Sequence, residues 1–301
     1  MSRPEHYASP LSTMQAIAAA ARAAAPAMGV KVNDLRSYLM FDRFLVRVFR
    51  QEGHAFVLKG GTRMLAFIPT ARATVDVDLE TKLGLDDAVT LLADLVSIDI
   101  GDRLRFRLVS RSSGGGDDQP NLSVVRLVFR ADETRELVKI DLAVHERAGD
   151  ATIVAAPAFR VPLARAVESV DYVMIAVEQQ IADKAAAMME TRHPGGDGRS
   201  SRAKDLVDLA LIALYLPCDA QALREAIAWQ IDERALDPFV AVDASETIKR
   251  GYRKAAQRAV GLTEDWQEAE YLANRLVSAV LDGSVVRGRW NPAERTWVAL
   301  D

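Results

Sequence analysis

The sequence predicts an α+β protein in which a mixed sheet with packed helices is followed by a helical lobe. Several segments between residues 56 and 145 alternate apolar and polar residues with a period of two, which is typical of strands that bury one face. After the segment bounded by Pro157 and Pro162, the apolar period changes to that of helices. This change predicts a boundary near residues 160–170, and we therefore expect a sheet domain over 1–165 and a helical lobe over 166–301.

Local patterns predict where the helices, strands and loops lie. Helices are expected over residues 13–25, 32–50, 85–97, 171–191, 202–216, 220–231, 245–259 and 265–281. Strands are expected from residue 56, near 75–80, and over 103–111, 122–129 and 137–144. Clusters of glycine and proline predict loops at 112–121 and 193–201.

The composition predicts a globular protein with a buried core, because 50% of the residues are apolar and 27% are charged. A net charge of −4 argues against a protein that coats nucleic acid along its whole surface. Of the 38 basic residues, however, 30 are arginine and 8 are lysine, and arginine binds phosphate well, which leaves a local basic groove open. The single Cys218 excludes an internal disulfide. No apolar run reaches the length of a membrane span, so we expect a cytoplasmic protein.

Residues 56–80 contain the most informative motif. The turn Gly60-Gly61-Thr62 is expected to open a helix, and the unpaired N–H groups of a first helical turn can bind an anion such as phosphate. Asp76 and Asp78 lie two residues apart in a predicted strand, so their side chains share one face above a buried layer. Adjacent carboxylates suit Mg²⁺, and a metal that bridges phosphate oxygens beside such a turn indicates phosphoryl or nucleotidyl transfer.

Three motifs together resemble the nucleotidyltransferases of the DNA polymerase β superfamily. They are VLKGGT at residues 57–62, RATVDVDL at 72–79 and RAKDLVD at 202–208. More narrowly, the motifs resemble the AbiE-type abortive-infection toxins, which include the MenT toxins. The similarity covers residues 40–216, and three motifs in the same order are more specific than any one of them.

The resemblance implies two further catalytic residues, Asp141 and Lys184. Alternation in the strand at 137–144 places Asp141 on a polar face, where an ordinary solvent-exposed aspartate is the alternative. Lys184 falls on the apolar stripe of a predicted helix, where its ammonium must find an anion or extend to the edge of the stripe. By resemblance, Asp141 is the third carboxylate of the site and Lys184 is the functional lysine that family members carry on a helix here.

The resemblance also implies which residues bind the nucleotide and the metal. The nucleotide-binding residues would be Lys59, Gly60, Gly61, Thr62, Arg63, Lys204, Asp205 and Asp208. Two Mg²⁺ ions would be held by Asp76, Asp78 and Asp141. For Asp205 and Asp208, three apart on one helix face, surface ion pairs are the alternative. Thr74 precedes Asp76 on the same strand face, and a phosphate there would disturb the site.

The function implied by the resemblance is that of a toxin that transfers a nucleoside monophosphate from a nucleoside triphosphate to an acceptor. The acceptor would be the 3′ end of tRNA, and a separately encoded antitoxin would neutralise the protein. Four alternatives remain open: transfer of the nucleotide to a protein, a kinase-like transfer of the γ-phosphoryl group, a glycosyltransferase that uses a nucleotide sugar, and a non-catalytic module that binds tRNA or a partner. Likewise, the arginines at 103–111 predict either a charged edge strand or a basic surface for RNA.

Overall fold

The structure is a computed structural model that describes residues 6–113, 122–145, 151–191 and 198–300, without the side chains of Leu122, Ser123 and His145. The loop predicted at 112–121 lies outside the described residues from 114 onward, and the loop predicted at 193–201 lies outside them through 197. The chain forms two compact units and passes from the first to the second between Met174 and Ile175. The domain assignment of 1–165 and 166–301 stays a prediction.

The first unit contains the N-terminal helices and the large sheet. Its helices are α1 (Pro10–Met28), α2 (Val32–Phe49), α3 (Gly60–Phe67) and α4 (Leu85–Val96). Its strands are β1 (Phe56–Lys59), β2 (Val77–Thr81), β3 (Phe106–Ser113), β4 (Leu122–Ala131), β5 (Leu137–His145), β6 (Thr152–Ala155) and β7 (Tyr172–Ile175).

Within the described residues, these seven strands form one mixed sheet in the order β3-β4-β5-β2-β1-β7-β6. β2 runs antiparallel to β1 and parallel to β5. β4 runs antiparallel to both β3 and β5. The order places β2 and β5, which are far apart in the sequence, side by side. The predicted α+β fold is confirmed.

One face of the sheet is apolar and buried. On β2 the side chains of Val77 and Leu79 are fully buried, as is Ile140 on β5. The ring of Phe44 on α2 lies 5.2 Å from that of Phe106, measured between ring centroids, in an edge-to-face contact. Because successive strand residues point to opposite faces, this buried layer fixes the other face as the one that carries the intervening polar residues.

The predicted strand at 103–111 is an edge strand, but it begins only at Phe106. Arg103 lies before it in the left-handed region, with φ of 63°, and therefore does not continue the alternation. Arg107 pairs with Asp132 at 3.5 Å, and Arg111 pairs with Asp86 at 2.7 Å. These contacts fit an edge strand protected by charge.

The helix predicted over 171–191 is wrong in its first turn. Residues 172–175 form the buried strand β7, and the helix begins at Val177. A run of four apolar residues fits a buried strand as well as a buried helical turn, so periodicity alone did not separate them. The short strand β6 was also missed. α1 extends beyond the predicted 13–25 at both ends. Ser9 caps its N-terminus with a reciprocal hydrogen-bonded pair to Ser12, and Gly29, with φ of 67°, ends it after Met28.

The second unit is helical and ends in a small hairpin. It contains α5 (Val177–Met189), α6 (Ala203–Tyr215), α7 (Ala220–Glu233), α8 (Glu246–Ala256), α9 (Trp266–Leu281), β8 (Arg289–Asn291) and β9 (Thr296–Val298). The hairpin was not predicted. Its Trp290 is buried, and the indole N–H donates a hydrogen bond to the carbonyl of Ala213 at 2.8 Å. In the described part of the chain, no helix is both long enough and apolar enough to cross a bilayer.

Candidate active site

Four charged residues of the first unit form a row across the polar face of the sheet. Lys59 on β1 is the register partner of Asp78 on β2. Asp78 is in turn the partner of Asp141 on β5, and Asp141 is the partner of Arg126 on β4. Directly opposed residues project from the same face and their side chains are neighbours. The row therefore places two carboxylates side by side, with a cation at each end.

Asp76 lies immediately before β2, two residues from Asp78, and is held by two threonines. The hydroxyl of Thr74 donates a hydrogen bond to Oδ1 of Asp76 at 2.8 Å. The hydroxyl of Thr62, which is buried, donates to the backbone carbonyl of Asp76 at 3.0 Å. The segment that carries the first carboxylate is thereby tied to the first turn of α3.

The Gly60-Gly61 turn is glycine because the backbone passes too close to Asp78 and Thr74 for a side chain. Gly60 has φ of 64°, and a Cβ there would lie 1.9 Å from Oδ2 of Asp78. A Cβ on Gly61 would lie 2.9 Å from Thr74. The N–H of Gly61 donates to Oδ2 of Asp78 at 3.3 Å. In this structure the anion at the helix N-terminus is therefore the carboxylate of Asp78.

The two basic residues that flank this turn have partners inside the protein. Lys59 lies 3.5 Å from the carboxylate of Glu80. Arg63 is buried, and its guanidinium lies 4.7 Å from the centroid of the Phe67 ring. The nucleotide-binding roles of these residues, and of Thr62 with its engaged hydroxyl, stay predictions.

The third predicted carboxylate, Asp141, is bound by Arg126 at both of its oxygens. Nε of Arg126 donates to Oδ1 at 2.7 Å, and Nη2 donates to Oδ2 at 2.6 Å. The pKa of the Arg126 guanidinium is raised above its ordinary value, first by these hydrogen bonds and then by the charge of Asp141. The charges of Asp76 and Asp78 act in the same direction. Arg126 therefore experiences the field of all three carboxylates, and the sequence analysis did not identify it.

The three carboxylates fit a divalent cation by donor type, since Mg²⁺ takes oxygen ligands in proteins. Asp78 and Asp141 are register partners, and Asp76 precedes β2 two residues from Asp78. Each carboxylate now has a protein partner, and no group of three or more histidine, cysteine, aspartate or glutamate residues is arranged as a metal site within the described ranges. Coordination by all three would require Asp78 and Asp141 to exchange their present partners.

The glycine turn gives a prediction for stability. We expect Gly60→Ala to lower the free energy of unfolding by about 2–4 kcal/mol, because a left-handed backbone disfavours alanine and the new methyl group displaces Asp78. Gly53→Ala is the matched control, since Gly53 has φ of 81° and nothing within 4 Å of its Cβ position. In the control, the free energy of unfolding should fall only by the cost of placing alanine in a left-handed backbone conformation, about 1–2 kcal/mol. Urea unfolding measures both, and equal losses in the two variants would show that the close approach to Asp78 has no energetic consequence.

The second unit contains a buried ion cluster of its own. Nζ of Lys184 on α5 lies 2.6 Å from Oδ2 of Asp208 and 3.1 Å from Oδ1 of Asp205, both on α6. All three residues are less than 5% exposed. Arg202 adds a contact of 2.5 Å to the other oxygen of Asp205. Lys184 thus has the anionic partners that an ammonium on an apolar stripe requires.

The alternative of surface ion pairs for Asp205 and Asp208 is wrong, because both carboxylates are buried. The same helix face that predicted an exposed pair packs against α5 instead. Lys204, in contrast, is exposed on α6. Contacts of Lys184, Lys204, Asp205 and Asp208 with a nucleotide stay predictions.

Comparison with known proteins finds one matching family and several proteins of similar structure. Residues 43–274 match the family described as "Nucleotidyl transferase AbiEii toxin, Type IV TA system". The chain is similar in structure to MenT4, a nucleotidyltransferase toxin from Mycobacterium tuberculosis, with a TM-score of 0.52 and 18% identity over 91% of this chain and 99% of that one. It is also similar to JHP933 from Helicobacter pylori, with a TM-score of 0.46 and 15% identity over 85% and 96% of the two chains. No curated protein matches the sequence. At this identity, the similarity to MenT4 shows a shared fold.

Proposed function

Because the chain belongs to the AbiEii nucleotidyl transferase toxin family of type IV toxin–antitoxin systems, we propose that it transfers a nucleoside monophosphate to the 3′ end of tRNA. Membership of the family makes the protein a nucleotidyltransferase and the toxin of a two-component system with a separate antitoxin. It also makes a nucleoside triphosphate the substrate and a divalent metal the expected cofactor. The tRNA acceptor, the identity of the metal as Mg²⁺ with two ions, and the role of each residue are our proposal.

The observation that supports this function best is the row of charges on the polar face of the sheet. Asp78 and Asp141 are direct partners on parallel strands, and Asp76 lies two residues from Asp78. Asp78 and Asp141 project from the face opposite the buried Val77, Leu79 and Ile140, so they do not contribute to the apolar core. Their charges instead repel one another unless cations compensate them. A divalent cation bound to a triphosphate is the compensation that a nucleotidyltransferase requires.

In the proposed reaction, the three carboxylates and Lys59 have different roles. Asp76, Asp78 and Asp141 would hold Mg²⁺, which when bound polarises the phosphates and lowers the pKa of the attacking hydroxyl. The acceptor oxygen forms a bond to the α-phosphorus while the bond from that phosphorus to the departing pyrophosphate breaks, and Asp141 takes up the hydroxyl proton. Lys59 supplies positive charge at the opposite end of the row.

The tRNA acceptor can be tested by nucleotide transfer. The protein is incubated with tRNA, Mg²⁺ and each of the four nucleoside triphosphates labelled at the α-phosphate. We expect label on the 3′ end of tRNA with at least one nucleotide. Absence of label from RNA under every condition would contradict the tRNA proposal, and label on a protein instead would identify a protein acceptor. Loss of the toxic effect in a catalytically dead variant would exclude a module that acts by binding alone.

Thr74 offers a prediction about regulation of this activity. We expect Thr74→Glu to reduce nucleotide transfer by about a hundredfold, because it adds a negative charge at the position that now hydrogen-bonds Asp76. Thr74→Val keeps the shape that packs against Gly61 and adds no charge, so it serves as the control and should retain most of the activity. Equal activity of Thr74→Glu and wild type would reject the idea that phosphorylation here silences the toxin.

A further inference from the structure

We propose that Arg126 controls the affinity of the site for divalent cations by holding Asp141 in the ion-free protein and releasing it when a cation binds. Arg126 would thus be a positioning residue that acts through Asp141. The proposal rests on the proposed function, since it takes Asp141 to be a ligand of the cation.

The geometry of the pair supports a direct competition. The guanidinium forms two parallel hydrogen bonds to the two oxygens of Asp141, at 2.7 and 2.6 Å. Such a bidentate pair is among the strong hydrogen-bonded arrangements of a carboxylate, and it occupies both carboxylate oxygens. A divalent cation at the same oxygens would lie within a few ångströms of the guanidinium charge and be repelled by it. Both oxygens of Asp141 can therefore bind the cation only when Arg126 has moved away.

Burial of the two side chains indicates that Arg126 is the partner that moves. Its side chain is 45% exposed, whereas that of Asp141 is 20% exposed and fixed in the middle of the row. Because Arg126 is partly exposed, water compensates its charge when the pair opens, which lowers the free-energy cost of releasing Asp141. Exchange of the guanidinium for a cation therefore requires no change in the sheet.

Arg126 also compensates the charge of the carboxylates when no cation is bound. Asp76, Asp78 and Asp141 bring three negative charges to one face, and all three raise the pKa of the Arg126 guanidinium. Without a compensating charge, the repulsion between these carboxylates would destabilise the ion-free protein. Arg126 supplies that charge from within the chain, at the expense of cation affinity.

The test is a titration of the full chain with Mn²⁺, followed by the electron paramagnetic resonance signal of the free ion. We expect Arg126→Gln to lower the dissociation constant for Mn²⁺ about tenfold, because it removes a positive charge next to the cation and frees Asp141. Arg126→Lys keeps the charge and loses the fork, so its dissociation constant should lie between the two. Arg130→Gln is the matched control, because Arg130 is exposed on the same face of β4 and is the partner of Leu137. It should change the constant less than twofold.

A second arm tests whether Arg126 acts through Asp141. In an Asp141→Asn background, Arg126→Gln should raise Mn²⁺ affinity no more than about threefold, because the guanidinium no longer holds a carboxylate there and only the effect of its charge remains. The same tenfold gain in that background would overturn the proposal, since the effect would then be a general one of charge. Thermal unfolding with EDTA and with Mn²⁺ gives a readout of folding for every variant, and the stabilisation by Mn²⁺ should be largest for Arg126→Gln.

The possible failures are distinguishable. If wild type binds Mn²⁺ and Arg126→Gln binds it equally or more weakly, the inference is wrong and the proposed metal site stands. In that case, Arg126 only joins β4 to β5. If neither wild type nor any variant binds Mn²⁺, both the inference and the metal site of the proposed function are wrong.

Discussion

Asp76→Asn is expected to reduce nucleotide transfer on the order of a thousandfold and to leave the fold intact. Asparagine has the size of aspartate and an oxygen that can still accept the hydrogen bond from the Thr74 hydroxyl. The contact from Thr62 goes to the backbone carbonyl and is unaffected. What the substitution removes is the negative charge with which the site holds a cation. The initial rate of transfer and the midpoint of thermal unfolding measure the two effects separately.

Asp132→Asn is the control for this prediction. It makes the same chemical change in the same unit, at a residue that pairs with Arg107 of the edge strand β3. Its transfer rate should remain within about twofold of wild type, since surface substitutions away from a site have small effects. If Asp76→Asn retained more than about a tenth of wild-type activity, the proposal that Asp76, Asp78 and Asp141 form the catalytic site would be wrong.

Lys184→Met is expected to lower the free energy of unfolding by about 3–5 kcal/mol. Asp208 is fully buried and Asp205 nearly so, and Lys184 contacts both carboxylates. Removing the ammonium takes away a cation that contacts two buried negative charges, of which Asp205 also contacts Arg202. Methionine has a similar volume, so the loss reports on charge and not on a cavity. Urea unfolding gives the value.

Lys204→Met provides the matched control, because Lys204 lies on α6 next to Asp205 but is exposed. It should change the free energy of unfolding by no more than about 0.5 kcal/mol. Adding Asp208→Asn to Lys184→Met should recover part of the loss, since it removes one of the two buried negative charges that Lys184 contacts. A Lys184→Met protein as stable as wild type would contradict the view that the cluster stabilises the helical unit.

The sequence alone was sufficient for much of the fold, because the hydrophobic pattern determines local structure. The helix predicted over 32–50 is α2 (Val32–Phe49), and the strand predicted over 137–144 is β5 (Leu137–His145). Alternation also placed Asp78 and Asp141 on the face opposite the buried Val77 and Ile140. The pattern does not determine strand order, and the position of β5 beside β2 required the structure.

The residues that the sequence analysis missed are those whose role depends on register between distant strands. Arg126 reads as one more exposed arginine on a strand, and only its pairing opposite Asp141 distinguishes it. For Lys184, in contrast, the sequence did indicate part of its role. Its place on an apolar stripe predicted that it needs an anion, although spacing could not show that Asp205 and Asp208 supply it from a buried face.

Nucleotidyl transfer by the site of Asp76, Asp78 and Asp141 is tested most directly by following the α- and γ-phosphates of the triphosphate in wild type and in Asp76→Asn. One reaction contains nucleoside triphosphate labelled at the α-phosphate and the other contains the same nucleotide labelled at the γ-phosphate, each with acceptor and Mg²⁺. We expect wild type to attach the α-label to the acceptor and to release the γ-label in pyrophosphate, and we expect Asp76→Asn to do neither. Attachment of the γ-label, or equal transfer by both proteins, would contradict this expectation.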